Sequence, residues 1–336
     1  MTLLRRLSLC LVVVLGLAAP TSSPRAQVEH AVMAVPAVTI LFLAYFIAED
    51  EGIFTRQDID LKTVNIAGIG AMNAVISGSA DFSLSSGGSF TRAISHGQKL
   101  LIIVDLVQHL AQTVVLRKDI ADQIHFDPTA PLAVRAQAMR GRSFGMGGVN
   151  SVSDAFLRLV AKAGGVRPDE IIEAPLQPSD EISALERHAI DGFTHGPPWA
   201  QQVVIEGKAV VIADGAKGEP SDATPYADGI VVTRASYCTD HRSICAKMGH
   251  AMLLGTEAIF ERPRDALTVL KKRYPTVDDR VLQAALDSMT TLAARPPVMT
   301  IEALQNADRL NVEVGFMKPE DQLPSYDGLF DNQFVK

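Results

Sequence analysis

Short, nearly unbroken apolar runs alternate along this chain with segments whose apolar residues recur at helical spacing. The first run, Ala31 to Ala48, has membrane-spanning length, but Pro36 and Thr39 interrupt it. It divides into a buried strand, His30 to Val35, a turn at Pro36 to Thr39, and a helix from Ile40 to about Glu51 that closes at Gly52. Buried parallel strands read as continuous apolar runs, so the segment requires no membrane. "DIDLKTVNI" (58–66) predicts a second strand. Ala71 to Ile76 sets Met72, Val75 and Ile76 on one helical face before Gly78, the residue type that best adopts the left-handed stop. Asp81 to Leu84 is a third strand. It empties into Ser85, Ser86, Gly87, Gly88 and Ser89, at the carboxyl end of a strand, where open α/β sheets place their ligands. A helix to Gly97, a strand over Leu100–Val107 and an extended run over Gln112–Arg117 follow.

A second, similar series begins at "GRSFGMGG" (141–148), a strand and glycine loop. It continues through a helix in "NSVSDAFLRLVAKAGG", a strand in "EIIEAPL" and a helix from Ser179 to Ala189. A short strand in "IDGFTHG", a helix through Trp199 to Glu206 and the strand "AVVIAD" complete it. The Pro/Gly-rich stretch Gly215 to Asp228 reads as an exposed loop, and "GIVVTR" (229–234) is extended again. From about Asp240 the chain reads as almost entirely helical, with breaks at Pro263, Pro275 and Pro296-Pro297. Alternation of this kind means βαβ units on mostly parallel sheets. The expected fold is therefore α/β with two lobes, 28–110 and 111–233, and a helical tail, 234–336, that returns to cover the first lobe. A ligand cleft lies between the lobes.

The N-terminus changes the compartment. Arg5 and Arg6 precede an apolar run from Leu7 to Ala19, and the small-residue exit "SSPRAQ" ends near Ala26, the arrangement of a secretory signal peptide. The run is shorter than the ~20 residues a spanning helix needs. Cys10 lies within the run, which disfavours a lipoprotein anchor. Cleavage near Ala26 removes three arginines and no acid, so the formal charge moves from −7 to −10 and nucleic-acid binding is disfavoured. About 310 residues remain, enough for two domains. Cys238 and Cys245 are then the only cysteines. Export permits a disulfide between them, and two buried thiols that never meet is the other arrangement. No Cys/His cluster has metal-ligand spacing, so no metal site is expected.

The candidate ligand contacts are the loop and crossover residues. Thr39 follows the first strand, and Ser86 and Gly87 follow the third. Asn150, Ser151 and Ser153 open a helix of the second lobe, where such residues serve as N-caps as well as ligands. His195 and Trp199 flank Gly196-Pro197-Pro198 at a strand's carboxyl end, although a lone Trp is commonly core. Gln108 and His109 lie where the chain leaves the first lobe, and Tyr226 and Asp228 precede the return strand. Asp81 is expected to fix the start of its strand rather than to bind solute. The charge groups "EDE" (49–51) and "KKR" (271–273) read as solvated faces.

Five segments together carry a family resemblance: "AEDEGIF" (48–54), "NAVISGSADFSLSSGGS" (73–89), "GQKLLIIVDL" (97–106), "AKAGGVRPDEI" (161–171) and "SALERHAIDGFTHGPPWAQQ" (183–202). In this order they resemble the periplasmic substrate-binding proteins of ABC importers, in the group containing nitrate-, sulfonate-, taurine- and thiamine-precursor-binding proteins. The resemblance implies a type II two-lobed fold on a hinge, closing over a small molecule and delivering it to an ABC permease. A periplasmic monomer with neither cofactor nor catalysis follows from it. The favoured loops contain no Arg or Lys, which points to an aromatic or partly apolar organic ligand rather than nitrate, while anion binding at helix N-termini stays open. Two other readings share the scaffold: an enzyme of the thiamine-pyrimidine type, which needs a reactive His and a cysteine-rich metal motif, and a sensory partner presenting ligand to a receptor. A Ser/His/Asp hydrolase lacks its Gly-x-Ser-x-Gly elbow here.

Overall fold

The computed structural model describes residues 28–336. The expected signal peptide (1–26), its cleavage near Ala26 and Cys10 lie outside the described residues. The strands are β1 (Glu29–Val35), β2 (Ile59–Asn65), β3 (Phe82–Ser85), β4 (Leu100–Val107), β5 (Thr113–Arg117), β6 (Ser143–Met146), β7 (Ile172–Pro175), β8 (Gly192–His195), β9 (Ala209–Asp214) and β10 (Gly229–Arg234). Helices α1 (Leu43–Asp50), α2 (Ile53–Arg56), α3 (Gly70–Ser77) and α4 (Gly87–Ser95) belong to the first series. Helices α5 (Lys118–Gln123), α6 (Leu132–Arg135), α7 (Val152–Ala163), α8 (Pro178–Glu186) and α9 (Trp199–Ile205) belong to the second. The tail contributes α10 (Ala235–Asp240), α11 (Arg242–Glu261), α12 (Pro263–Arg273), α13 (Asp279–Leu292) and α14 (Ile301–Glu313). No described helix is long and apolar enough to cross a membrane; the Ala31–Ala48 run is β1, a turn and α1.

Each lobe is a five-stranded sheet of the same order, β2-β1-β3-β10-β4 and β7-β6-β8-β5-β9. In each, four strands run one way and one is antiparallel: β10 pairs antiparallel with β3 and β4, and β5 with β8 and β9. The antiparallel strand is the one that has crossed from the other lobe. This corrects the expected boundary at residue 233, because β10 belongs to the first sheet and the return to that lobe begins at Gly229. Two crossovers therefore join the lobes, 108–112 and 215–228. The second is not the exposed loop its composition suggests: Ala223, Tyr226, Ala227 and Asp228 are buried, because its last residues run along Val107 at the end of β4 and Gln108 of the first crossover.

The internal repeat has a physical basis. Asp81 accepts a hydrogen bond from the Val32 amide on β1 (2.9 Å) and lies 3.5 Å from the Arg234 guanidinium at the end of β10. Asp191 does the same in the second lobe, accepting from the Ser143 amide on β6 (2.9 Å), with Arg117 at the end of β5 3.8 Å away. Each acid ties the start of a parallel strand to its neighbour and to the crossed-over strand.

The first sheet is packed on both faces. One face carries α1 against α11 at backbone distance, since a Cβ on Gly255 would sit 2.1 Å from the Ala44 carbonyl oxygen. The other carries α3, α4 and the start of α14. The tail is not confined to the first lobe as expected: Ala307, Leu310 and Val314 on and after α14 enter the core of the second. The tail's end adds to the first sheet, with Phe330 bridging Ile102 on the edge strand β4. Of the two arrangements left open, Cys238 and Cys245 are joined in a disulfide that links α10 to α11. The two charge groups pair with each other rather than facing solvent alone: Arg273 with Glu49 (2.8 Å) and Asp50 (2.6 Å), and Lys272 with Asp50 (2.8 Å).

Candidate functional site

A cleft of about 760 Å³ opens between the lobes at the carboxyl ends of β1, β3, β6 and β8, with both crossovers at its floor. That volume suits a small organic solute.

The first-lobe wall begins at Thr39, half-buried just before a 3₁₀ turn over Ile40–Phe42. Ser86 caps α4, its Oγ accepting from the Ser89 amide (3.4 Å) and donating to Ser89 Oγ (3.2 Å). Arg92, one turn further on, also lines the cleft. It donates to Asn311 Oδ1 (2.6 Å), to Ser89 Oγ (3.3 Å) and, across the cleft, to the Asn150 carbonyl (3.0 Å). Arg92 and Arg158 both lie over the Phe316 ring, at 5.5 and 5.3 Å.

The second-lobe wall is the 147–153 loop and His195. Ser151 caps α7, accepting from the Asp154 amide (3.2 Å); Ser153 Oγ accepts from the Gly147 amide (2.9 Å) and lies 2.9 Å from Ser151 Oγ. Asn150 has φ +61°, a left-handed conformation that Asn tolerates. Asp154 is fully buried at this helix start, accepting from the Asn150 amide (2.7 Å) and from Arg158 Nε (2.6 Å). The anion-attracting end of α7 is thus already filled by the protein's own carboxylate. His195 Nδ1 stands 3.5 Å from the buried Glu181 carboxyl. Burial pushes the imidazole down to about 4, so it is neutral at pH 7 and the approach is no ion pair; burial also holds the Glu181 carboxyl well above the usual carboxylate range.

At the floor Asp228 joins the crossovers. Its Oδ2 accepts from the Ala111 amide (2.8 Å), and its backbone amide donates to the Val107 carbonyl (2.9 Å). Burial pushes its carboxyl up to about 7, against the Ala111 hydrogen bond that lowers it. Asp105, buried on the neighbouring strand β4, is held well above the usual carboxylate range by burial, with the Asp228 charge adding to the effect.

Of the residues singled out from sequence, Thr39, Ser86, Asn150, Ser151, Ser153, His195 and Asp228 line this cleft. Five do not. Gly87 is buried against the second crossover, its amide bonded to the Ala227 carbonyl (2.7 Å), and a Cβ there would meet Ala227 at 2.7 Å. Tyr226 is core, its hydroxyl oxygen 2.8 Å from where a Gly88 Cβ would lie. Gln108 donates to the Val298 carbonyl (2.6 Å) in the tail, and His109, half-buried beside it, belongs to the crossover. Trp199 stacks edge-on against Tyr274 at 5.6 Å.

Sequence reasoning missed Arg92, His96, Asn73, Gln98, Gln112 and Phe316 on the lining. Arg92 corrects the expectation of a cleft without basic side chains. It was findable: Ser89, Arg92 and His96 follow Ser86 at intervals of three and four, one face of α4. Phe316 carries no local signal, because only the return of the tail brings it here. Among the described residues no group of three or more His, Cys, Asp or Glu could hold a metal ion.

A family model described as "NMT1/THI5 like" matches residues 40–266, about two thirds of the chain. The chain belongs to this NMT1/THI5-like family. No curated protein matches the sequence. Solved structures share the fold at low identity. A Bordetella bronchiseptica RB50 protein superposes with a TM-score of 0.76 at 15% identity, over 91% of this chain and 96% of its own. The alkanesulfonate-binding protein SsuA from Xanthomonas axonopodis pv. citri, bound to MOPS, gives 0.66 at 17%, over 89% and 97%. The nitrate-binding protein NrtA from Synechocystis PCC 6803 gives 0.68 at 14%, over 92% and 87%. The two-lobed periplasmic-binding-protein fold is therefore the fold of this NMT1/THI5-like chain.

Proposed function

We propose that this protein is an extracytoplasmic solute-binding protein, which captures a small organic molecule between its lobes and delivers it to an ABC permease. The observation that carries the reading is the position of the cleft, walled by strand-end loops of both lobes and floored by the two crossovers. A solute there touches both lobes at once and so stabilises the closed arrangement. The Arg92 to Asn150 hydrogen bond already spans that gap. Similarity to a sulfonate-binding and a nitrate-binding periplasmic protein supports transport as the role. The Cys238–Cys245 disulfide fits an oxidising compartment such as the periplasm.

Binding is favoured over catalysis by the way the cleft's polar groups are used. Its serines bond to each other, to backbone amides and, at Ser89, to Arg92, and among the described residues none bonds to a histidine. The ligand contacts assigned on this reading are Thr39, Ser86, Ser89, Asn150, Ser151, Ser153, His195, Gln112 and Asp228.

Native mass spectrometry of gently purified protein tests the reading. A stoichiometric small solute that dissociates on unfolding, and returns unmodified, is the expected result. Turnover of that solute would replace the reading with an enzymatic one. No solute, with no melting shift from a broad metabolite panel, would remove it.

A further inference from the structure

Three buried polar atoms of cleft-lining residues have no hydrogen-bond partner in the protein: Asp228 Oδ1, Gln112 Oε1 and His195 Nδ1. Asp228 is 1% exposed and Gln112 6%, so water does little for either. They come from different crossovers, Gln112 from the first and Asp228 from the second, and converge on the floor of one cleft. Unpaired acceptors at such depth are costly unless something donates to them.

The cleft's anion-attracting groups are in the opposite condition. Arg92 donates to Asn311, Ser89 and the Asn150 carbonyl. Asp154 occupies the start of α7. The first amides of α4 are taken by the Ala227 carbonyl and by Ser86 Oγ. Arg92 and the capped helix starts thus have partners within the protein, whereas these acceptors at the floor have none.

We propose that the floor receives a cationic nitrogen of the solute, a primary ammonium or an amidinium, which donates to Asp228 Oδ1 and Gln112 Oε1; the transported class is then a small organic cation. This rests on the binding-protein reading. It also sets the chain apart from the sulfonate- and nitrate-binding proteins it resembles in fold. The same nitrogen would touch both crossovers, so recognition and the pivot of the lobes share one pair of side chains.

The test uses matched aromatic probes, benzamidine and benzylamine against benzoate and benzenesulfonate, followed by calorimetry and melting on the intact mature protein. At least one cation is expected to bind and raise the melting temperature, and neither anion. Asp228→Asn should weaken that binding by roughly 10- to 100-fold, the usual range for a hydrogen bond to a charged group. Because Asp228 also holds the Ala111 amide, Gln112→Leu is the second variant. Its Oε1 is used by nothing in the protein, so it should weaken cation binding without lowering the free protein's melting temperature. Stabilisation by an anion and not by a cation overturns the inference, as does no response to any of the four. A co-purifying solute without a basic nitrogen also overturns it, yet leaves the binding-protein reading standing; absence of both solute and response counts against both.

Discussion

Asp228 gives one carboxylate oxygen to the Ala111 amide and leaves the other at the cleft floor, and burial lifts its pKa to about 7. An acid whose folded pKa exceeds its unfolded value of about 3.9 contributes stability that is complete below that value and is lost as pH rises through 7. His109 and His195, which burial lowers, act in the opposite sense below about 6.5, so the informative quantity is a difference. Between pH 6 and 8 the ligand-free wild type should lose about 1 kcal/mol more stability than Asp228→Asn, read by urea unfolding at each pH. Arg92→Ala strips Asn311 Oδ1 and the Asn150 carbonyl of a charged donor, and should cost about 1.5–3 kcal/mol in the same measurement. Residues such as Ser86, Asn150 and Asp228 were legible in the sequence because they stand at the ends of recognisable strands or at the start of a helix. Trp199 and Tyr226 misled, because an aromatic ring next to a strand-end turn reads the same whether it faces a cleft or packs on Tyr274 or Gly88.

At the scale of elements, the pattern of runs located the strands and the main helices well, since buried parallel strands and glycine-stopped helices leave local marks, as at Gly78 with φ +81°. What local marks do not carry is partnership. "GIVVTR" is apolar enough to be buried in either sheet, and only its hydrogen bonds to β3 and β4 place it in the first. Packing of α1 on α11 depends on the missing side chain at Gly255. Gly255→Ala would drive a methyl into the Ala44 carbonyl, and should cost roughly 2–3 kcal/mol by forcing the helices apart; a melting temperature unchanged within error would contradict that packing. The Cys238–Cys245 bond closes a loop of seven residues' separation. Replacing both cysteines by alanine should cost about 2 kcal/mol on the chain-entropy account, checked by denaturant unfolding of the variant beside the oxidised wild type.

For the whole molecule, the lobes are joined by more than the crossovers. Helix α14 packs on the first lobe and enters the core of the second, Lys162 on α7 pairs with Glu313 (2.9 Å), and Gln201 on α9 donates to Ser288 on α13 (2.7 Å). The tail therefore contacts both lobes, a feature invisible to a sequence reading that assigned it to one lobe. Trp199, the sole tryptophan, opens α9 and packs edge-on against Tyr274 at that junction. On the proposed function, one solute is held by both lobes at once. Hydrogen–deuterium exchange of the protein, freed of its co-purifying solute and then resaturated with it, tests this most directly. The solute is expected to slow exchange together in 39–43 and 86–92 of the first lobe, in 147–155 of the second, and at both crossovers. Protection confined to one lobe, or lying outside the cleft, would contradict it.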